Sequence, residues 1–138
     1  MVSSERLQGL RNARIAAVQF VYSSAFNGLA IGGASARSFM ASPVFKESRD
    51  NMDMALFSFL VRGLGRNVKA VDAALGAALS KGGTDAMTMA VLRLGAFEIL
   101  FGDTPRAVAS KEYTDIAACF VSARRTALVN AVLSALKG

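Results

Sequence analysis

The sequence predicts an all-α fold, a single compact helical bundle of about six to seven helices. Leucine and valine recur every three or four residues from Leu56 to Leu79, which is the spacing of one helix face. No segment alternates apolar and polar residues for long, and the chain contains only two prolines. These observations argue against a β-sheet and predict one domain over residues 1–138, long enough to bury a core.

Breaks in the apolar pattern divide the chain into predicted elements. A first helix over residues 5–27 is followed by a loop rich in glycine and serine at 28–43 and by a short helix that begins near residue 44. The leucine stripe predicts one long helix, or two helices that join near residues 63–67, and the Lys-Gly-Gly at 81–83 ends it. The remaining predicted elements are a helix at 85–101, a helix at 109–121, a basic connection at 122–125 and a last helix at 126–136.

The predicted helix at 85–101 is apolar on almost every side, which is typical of a helix surrounded by other helices. It is therefore predicted to be the central helix, with Thr84 or Asp85 as its N-cap. Arg93 and Glu98 stand about 140° apart around it, so they are poorly placed to pair with each other. Because a lone buried charge is unfavourable, each is expected to reach solvent or another partner.

Composition limits the chemistry that the chain can perform. It has no histidine and a single cysteine, Cys119, which lies in an apolar setting and is expected to be a small buried residue. A zinc cluster is therefore excluded, and no Walker A pattern, serine–histidine pair or suitable carboxylate pair occurs. The chain is expected to bind something rather than transform it, without a catalytic residue, metal or cofactor. Its net charge of +6 favours a polyanion as partner, either nucleic acid or an acidic membrane.

Residues 15–36 carry no charge and follow a basic start, so a membrane span or a signal peptide is an alternative for this stretch. Polar residues interrupt the apolar run at Gln19, Ser23, Ser24 and Asn27, and glycines follow. An amphipathic helix that runs into a glycine-rich loop explains this pattern better. The protein is therefore expected to be cytoplasmic.

The first helix carries the strongest binding signal. Arg11, Arg14 and Tyr22 fall within about 80° of one another on the helical wheel. Guanidinium groups bind phosphate and a ring can stack on a base, so this face suits a strand of nucleic acid. The alternative is that Tyr22 packs into the core, as Val18 on the same face suggests, while the arginines form a solvated rim.

Four blocks of the sequence match the pattern of one known family, in order along the chain. They are RNARIAAVQFVY at 11–22, FSFLVRGLGRNVKAVDAAL at 57–75, VLRLGAFEILFGDTP at 91–105 and LVNAVLSAL at 128–136. Together they resemble the family of the transcription antitermination factor NusB. The resemblance implies an all-helical domain that binds boxA RNA with the ribosomal protein NusE and acts with the transcription elongation complex, notably on ribosomal RNA operons. It implies neither membrane nor DNA binding.

The resemblance also implies roles for individual residues. The RNA-binding candidates are Arg11, Arg14, Tyr22, Lys111, Arg124 and Arg125, and the partner-binding candidates are Glu98 and Glu112. Lys111 and the two adjacent arginines at 124 and 125 also stand out in the sequence as a second basic group. Arg93 and Glu98 match the family pattern, and one or both are expected to bond to the backbone of a loop or helix end. Glu98 is then expected to lie near the surface that faces NusE.

The chain departs from the family pattern at several positions. The family usually has a second arginine where Asn12 stands and asparagine where Lys111 stands, and it often has phenylalanine at Leu128 and glycine at Ala131. The change at Leu128 removes a possible stacking ring, and Lys111 compensates in part by attracting phosphate. Two alternatives stay open. One is a helical protein-interaction module that does not bind RNA, and the other is the detached NusB-like domain of an rRNA cytosine methyltransferase.

Overall fold

The computed structural model describes residues 3–26, 33–79 and 84–136, and every regular element within these ranges is a helix. The elements are α1 (Ser4–Phe26), α2 (Gly33–Met40), α3 (Pro43–Ser48), a 3-10 turn (Arg49–Asn51), α4 (Met54–Ala78), α5 (Ala86–Phe101), α6 (Arg106–Phe120) and α7 (Ala123–Ala135). The all-α prediction is therefore confirmed. The chain divides into two compact units, Met1–Arg66 and Asn67–Gly138, and the prediction of a single domain stays a prediction.

Helix α1 agrees closely with the sequence pattern. It covers Ser4–Phe26, where residues 5–27 were predicted. Ala17, Val18 and Val21 are fully buried and form its apolar face. Among the helices that the structure describes, none is long and apolar enough to cross a membrane.

Short polar residues start the next helices of the first unit. The Ser42 hydroxyl accepts a hydrogen bond from the Phe45 backbone N–H at 3.3 Å, and Pro43 opens α3. The Asp53 carboxylate accepts from the Leu56 N–H at 2.9 Å, at the start of α4. Such caps satisfy N–H groups that lack a partner in the first turn, and the fixed φ of proline suits that turn. The short helix predicted to begin near residue 44 is confirmed.

Four phenylalanines form the core of the first unit. They are Phe20 of α1, Phe39 of α2, Phe45 of α3 and Phe57 of α4. The ring centroids are 5.3 Å apart for Phe20 and Phe39, 5.6 Å for Phe39 and Phe45, and 5.1 Å for Phe45 and Phe57. Aromatic pairs at these separations contribute about 0.5–1.5 kcal/mol each beyond their area burial. The cluster therefore packs four helices of this unit against one another through their rings.

Residues 33–40 form α2, so the predicted loop at 28–43 is wrong over this stretch. Glycine and serine disfavour a helix by only about 1 kcal/mol or less per residue, and tertiary packing overrides such a preference. Ala36 is 3% exposed and Phe39 joins the aromatic cluster, so burial supplies the stabilisation that the local sequence lacks. Residues 28–32 of the predicted loop lie outside the described residues.

Helix α4 bends at Asn67, where φ is −123° and ψ is 17°, outside the helical range. The leucine stripe therefore belongs to two helical segments, which is the second of the two structures predicted for it. Four of its members, two on each side of the bend, are at most 1% exposed: Leu60, Leu64, Val71 and Leu75. The predicted stop at 81–83 lies outside the described residues, and α4 ends at Ala78.

Helix α5 is buried on most sides, as its apolar sequence predicted, and its central place in a single bundle stays a prediction. It packs against both α6 and α7, which also pack against each other. Its buried side chains point in all directions and are at most 1% exposed; among them are Ala90, Val91, Leu92, Leu94, Ala96 and Phe97. Asp85 rather than Thr84 is the N-cap, because its carboxylate accepts from the Thr88 N–H at 3.3 Å.

Helix α7 begins at Ala123, so the predicted basic connection at 122–125 is wrong. Ser122 is the N-cap, and its hydroxyl accepts from the Arg125 N–H at 3.2 Å. Arg124 and Arg125 therefore belong to the first turn of a helix. Arginine has a good helix propensity, and the serine cap starts the helix before both arginines.

Helix α6 begins at Arg106, where the sequence pattern predicted residue 109. Cys119 lies in its last turn and is exposed, so the prediction of a buried cysteine is wrong. Phe120 beside it is 39% exposed. An apolar local sequence shows that a residue tolerates burial, but packing between helices decides which side of the last turn faces the core.

Arg93 of α5 pairs with Asp72 of α4. Its Nε donates to Asp72 Oδ1 at 2.9 Å, and its Nη2 donates to Oδ2 at 3.1 Å. Two parallel bonds of this kind match the planar guanidinium to the carboxylate. Arg93 therefore has another charged partner, as expected for a charge in this helix, and that partner is a side chain rather than the backbone of a loop or helix end. With side chains 26% and 39% exposed, the pair is partly screened by solvent.

Arg93→Ala is expected to lower the free energy of unfolding by about 1–2 kcal/mol, because a bidentate but partly solvated ion pair is lost. Urea unfolding followed by circular dichroism measures this change. Arg93→Lys keeps the charge but cannot form the two parallel hydrogen bonds. Its expected loss of unfolding free energy is about half as large. An Arg93→Ala protein as stable as the wild type contradicts a structural role for this side chain.

Candidate nucleic-acid interface

The three RNA-binding candidates of α1 differ in exposure. Arg14 is only 4% exposed, whereas Arg11 and Tyr22 are half-buried. Each of the three also has an interaction with other parts of the chain. Arg14 is therefore too buried to belong to a solvated rim, whereas for Arg11 that alternative stays open. Arg11 and Tyr22 offer surface to a ligand, and Arg14 reaches a phosphate only if its side chain turns outward.

Asn12 stands where the family usually has a second arginine, and the structure gives it an internal role. Its Nδ2 donates to the Asn51 carbonyl at 2.8 Å, and its Oδ1 accepts from Gln8 Nε2 at 2.9 Å. Nearby, the Asp53 N–H donates to the Gly9 carbonyl at 3.0 Å. Position 12 therefore ties α1 to the 3-10 turn and contributes no positive charge to the interface.

Two cations of the second unit have carboxylates beside them. Lys111 Nζ lies 2.7 Å from Asp115 Oδ2, one turn along α6. Arg125 Nη1 lies 3.0 Å from Asp85 Oδ1 and 3.4 Å from Thr84 Oγ1. Both pairs are solvent-exposed, so each is weak, but the carboxylate offsets part of the attraction to a phosphate.

The pKa of the Asp85 carboxyl lies below its ordinary value. Burial acts to raise this pKa, but hydrogen bonding from Thr88 and the positive charge of Arg125 together outweigh burial. Asp85 is therefore ionised at neutral pH, and its pairing with Arg125 persists there.

Arg124 differs from Arg125: it is exposed, and within the described part of the chain its side chain has no ion pair or hydrogen bond.

Glu98 is 1% exposed, and its carboxylate is held by two hydroxyl groups. The Tyr113 hydroxyl donates to Oε1 at 2.7 Å, and the Thr104 hydroxyl donates to Oε2 at 2.6 Å. The bond from Thr104 joins Glu98 to the α5–α6 loop, where a bond was expected, and it comes from a side-chain hydroxyl. Glu98 is therefore buried, and its predicted role in partner binding stays a prediction. The side chain fixes the loop, and Glu112, which is half-buried, also stays a partner-binding candidate.

The sequence-predicted RNA-binding residues are divided between the two units. Arg11, Arg14 and Tyr22 share α1 of the first unit, and Lys111, Arg124 and Arg125 belong to α6 and α7 of the second. Sequence reasoning missed the partners of the two charges in α5. Asp72 and Thr104 both lie inside the matching blocks at 57–75 and 91–105, which was the available signal. Nothing in the local pattern pointed to Tyr113.

Comparisons with known proteins support one family. The model of the NusB family matches residues 11–137. The chain is 36% identical over 129 residues to the transcription antitermination protein NusB of Bradyrhizobium diazoefficiens, covering 88% of this chain and 78% of that protein. It is 33% identical over 129 residues to the protein of the same name from Rhodopseudomonas palustris strain BisB18, covering 88% and 76%. For that of Rhodospirillum rubrum the identity is 43% over 86 residues, covering 59% and 46%.

The family match extends from α1 to the end of α7 and includes all four sequence blocks. The relatives are named as antitermination proteins, which is a role in transcription rather than in catalysis. The helical architecture of the described residues agrees with this assignment. The chain therefore belongs to the NusB family of transcription antitermination proteins.

Proposed function

We propose that the protein is a non-enzymatic antitermination factor that binds boxA RNA together with the ribosomal protein NusE. In this function it acts on the transcription elongation complex and supports transcription of ribosomal RNA operons. The observation that carries the proposal is family membership over residues 11–137, which include the arginine-rich first helix. The net charge of +6 adds support, because attraction to phosphates supplies much of the affinity for RNA.

The partly exposed residues of α1 suit a single strand of RNA. Arg11 and Tyr22 are eleven positions apart on one helix, or about 16 Å along its axis. A guanidinium at one end binds phosphate, and a ring at the other end stacks on a base. Arg14 is buried between them, so we expect it to position the helix rather than to meet the strand directly.

Fluorescence anisotropy with a labelled boxA-like RNA tests this proposal, with and without NusE and over a range of salt. Arg11→Ala is expected to weaken RNA binding about fivefold and to reduce the salt slope by about 0.7, the value for one phosphate contact on a single strand. Arg11→Ala/Arg14→Ala is expected to weaken it further. NusE is expected to strengthen binding of the wild-type protein.

Arg62→Ala is the matched control, because it removes the same charge from an exposed position on α4. Thermal unfolding of each variant separates loss of binding from loss of folding, which matters most for the buried Arg14. A folded wild-type protein that binds this RNA neither alone nor with NusE contradicts the proposal. That outcome favours a helical protein-interaction module instead.

A further inference from the structure

Helix α4 has an exposed face in the first unit to which the family resemblance gives no role. Phe59 on this face is 42% exposed, and Arg62 and Arg66 are exposed as well. Spacings of three and four residues place these three side chains within about 60° around the helix, and we call them the α4 stripe. The stripe lies on the side of the helix opposite to Leu60 and Leu64, which are fully buried.

The two arginines of the α4 stripe keep their full positive charge. Residues 54–66, the part of α4 in the first unit, include neither aspartate nor glutamate. Within the described ranges, neither Arg62 nor Arg66 has an ion pair or a side-chain hydrogen bond. Arg6 of the same unit differs, because its Nη1 lies 3.8 Å from Asp53 Oδ2. An anionic group that approaches α4 therefore meets two guanidinium groups that no carboxylate of the described chain offsets.

The ring of Phe59 adds an apolar contact at one end of the α4 stripe. A single exposed apolar side chain is ordinary in a folded protein, so the ring alone indicates no function. Phe59 takes part in a further interaction within the chain, so its ring is not freely mobile and loses little entropy on binding. Aromatic rings and arginines are enriched among the residues that contribute most to protein interfaces. The composition of the stripe therefore suits a protein partner.

The spacing of the stripe along α4 indicates the shape of such a partner. Arg62 and Arg66 are one turn apart, about 6 Å along the axis, and Phe59 lies about 4.5 Å before Arg62. Two carboxylates four residues apart on another helix have the same separation of about 6 Å. A helix with two such residues can therefore offer one carboxylate to each guanidinium, in the two-bond geometry that arginine favours.

We propose that Phe59, Arg62 and Arg66 form a docking surface for an acidic helical segment of a partner protein. The carboxylates of the segment pair with the two arginines, and an apolar residue one turn away covers the ring. RNA fits less well, because single-stranded sites combine a groove with several stacking rings, whereas the stripe is the convex side of one helix with one ring. The cavities described in the first unit are lined by α1 and by residues of the 47–53 segment, not by the stripe.

A labelled helical peptide tests this surface by fluorescence anisotropy. The probe is an alanine- and glutamine-rich peptide of about 20 residues, with two glutamates four positions apart and a leucine one turn from them. A matched probe has glutamine at both glutamate positions, so it keeps the side-chain shape without the charge. The wild-type protein is expected to bind the acidic probe about tenfold more tightly at low salt. Higher salt is expected to reduce this difference, because exposed ion pairs are screened.

Substitutions in the α4 stripe are compared with matched controls in the same unit. Arg66→Ala is expected to weaken binding of the acidic probe about threefold, and Arg62→Ala/Arg66→Ala about tenfold. Phe59→Ala is expected to weaken it about fivefold. Arg37→Ala, which removes an exposed arginine of α2, is expected to match the wild type. Met54→Ala is expected to match it too, since Met54 is 37% exposed but lies about 140° around α4 from Phe59.

The outcomes separate this surface from its alternatives. An equal loss of peptide binding in Arg37→Ala and Arg66→Ala shows attraction by net charge alone and overturns the proposal. Wild-type protein that binds the acidic probe no more tightly than the glutamine probe overturns it as well. Stripe variants that lose affinity for a boxA-like RNA but not for the peptide also overturn it and assign the stripe to RNA. The proposal does not rest on RNA binding, so a wild-type protein that binds the peptide but no RNA contradicts only the function proposed above.

Discussion

Glu98→Ala is expected to lower the free energy of unfolding by about 3–4 kcal/mol. The substitution leaves the Tyr113 and Thr104 hydroxyls without their acceptor and opens a cavity between α5 and α6. Tyr113 is fully buried, so its hydroxyl cannot turn to water instead. Urea unfolding followed by far-ultraviolet circular dichroism measures the loss, and the slope of the transition shows whether folding stays two-state.

Two milder variants separate the loss of hydrogen bonds from the loss of side-chain volume at position 98. Glu98→Gln keeps the shape and one acceptor oxygen, so its expected loss is about 1–2 kcal/mol. Tyr113→Phe removes one donor and keeps the ring, so its expected loss is about 1 kcal/mol. A Glu98→Ala protein within about 0.5 kcal/mol of the wild type contradicts the view that this carboxylate holds the α5–α6 loop.

Leu133→Ala is expected to lower the free energy of unfolding by about 3 kcal/mol, because a fully buried leucine leaves a cavity against α5. The residue across that contact is Gly95, where a Cβ atom would lie 2.7 Å from Leu133 Cδ1. Gly95→Ala alone is expected to lose about 1 kcal/mol, because overpacking exceeds the helix propensity that alanine adds. In the Leu133→Ala background, the same change is expected to gain about 1 kcal/mol.

The double-mutant cycle of Gly95 and Leu133 is therefore expected to show a coupling of about 2 kcal/mol. Gly76 of α4 is the matched control, because a Cβ there meets nothing within 4 Å. Gly76→Ala is expected to stabilise the protein by up to about 1 kcal/mol in both backgrounds. Additive effects of Gly95→Ala and Leu133→Ala contradict the close approach of α5 and α7. In the Leu133→Ala background, the Tyr113 Cγ atom still lies 3.3 Å from the Cβ added at position 95. This contact reduces the stabilisation expected from Gly95→Ala but does not remove it.

Features encoded within a few neighbouring residues were predictable. The periodic spacing of apolar residues located α1 and both halves of α4, and the mainly apolar sequence of α5 indicated a helix buried on most sides. The start of α5 was predicted from two possible cap residues, Thr84 and Asp85, and the Asp85 side chain is the one that bonds to the first turn. The family resemblance rested on blocks of the same local kind, and it was confirmed over residues 11–137.

Features that depend on distant contacts were not predictable. Gly33–Met40 became helical because Phe39 packs on rings from three other helices. The partners of Arg93 and Glu98 come from α4, α6 and the α5–α6 loop. Cys119 proved exposed, since an apolar neighbourhood in sequence does not determine which side of a helix faces the core.

The sequence by itself determined the longer helices, the family and the set of charged residues available for RNA binding. Only the tertiary structure decided how those charges are used. Arg14 and Glu98 are buried, Arg125 is paired with Asp85, and Arg124 is exposed. Helical periodicity sets which residues share a face of one helix, because it follows from the backbone alone. The direction of that face, and the partner of each charge on it, follow from packing between segments that are far apart in the chain.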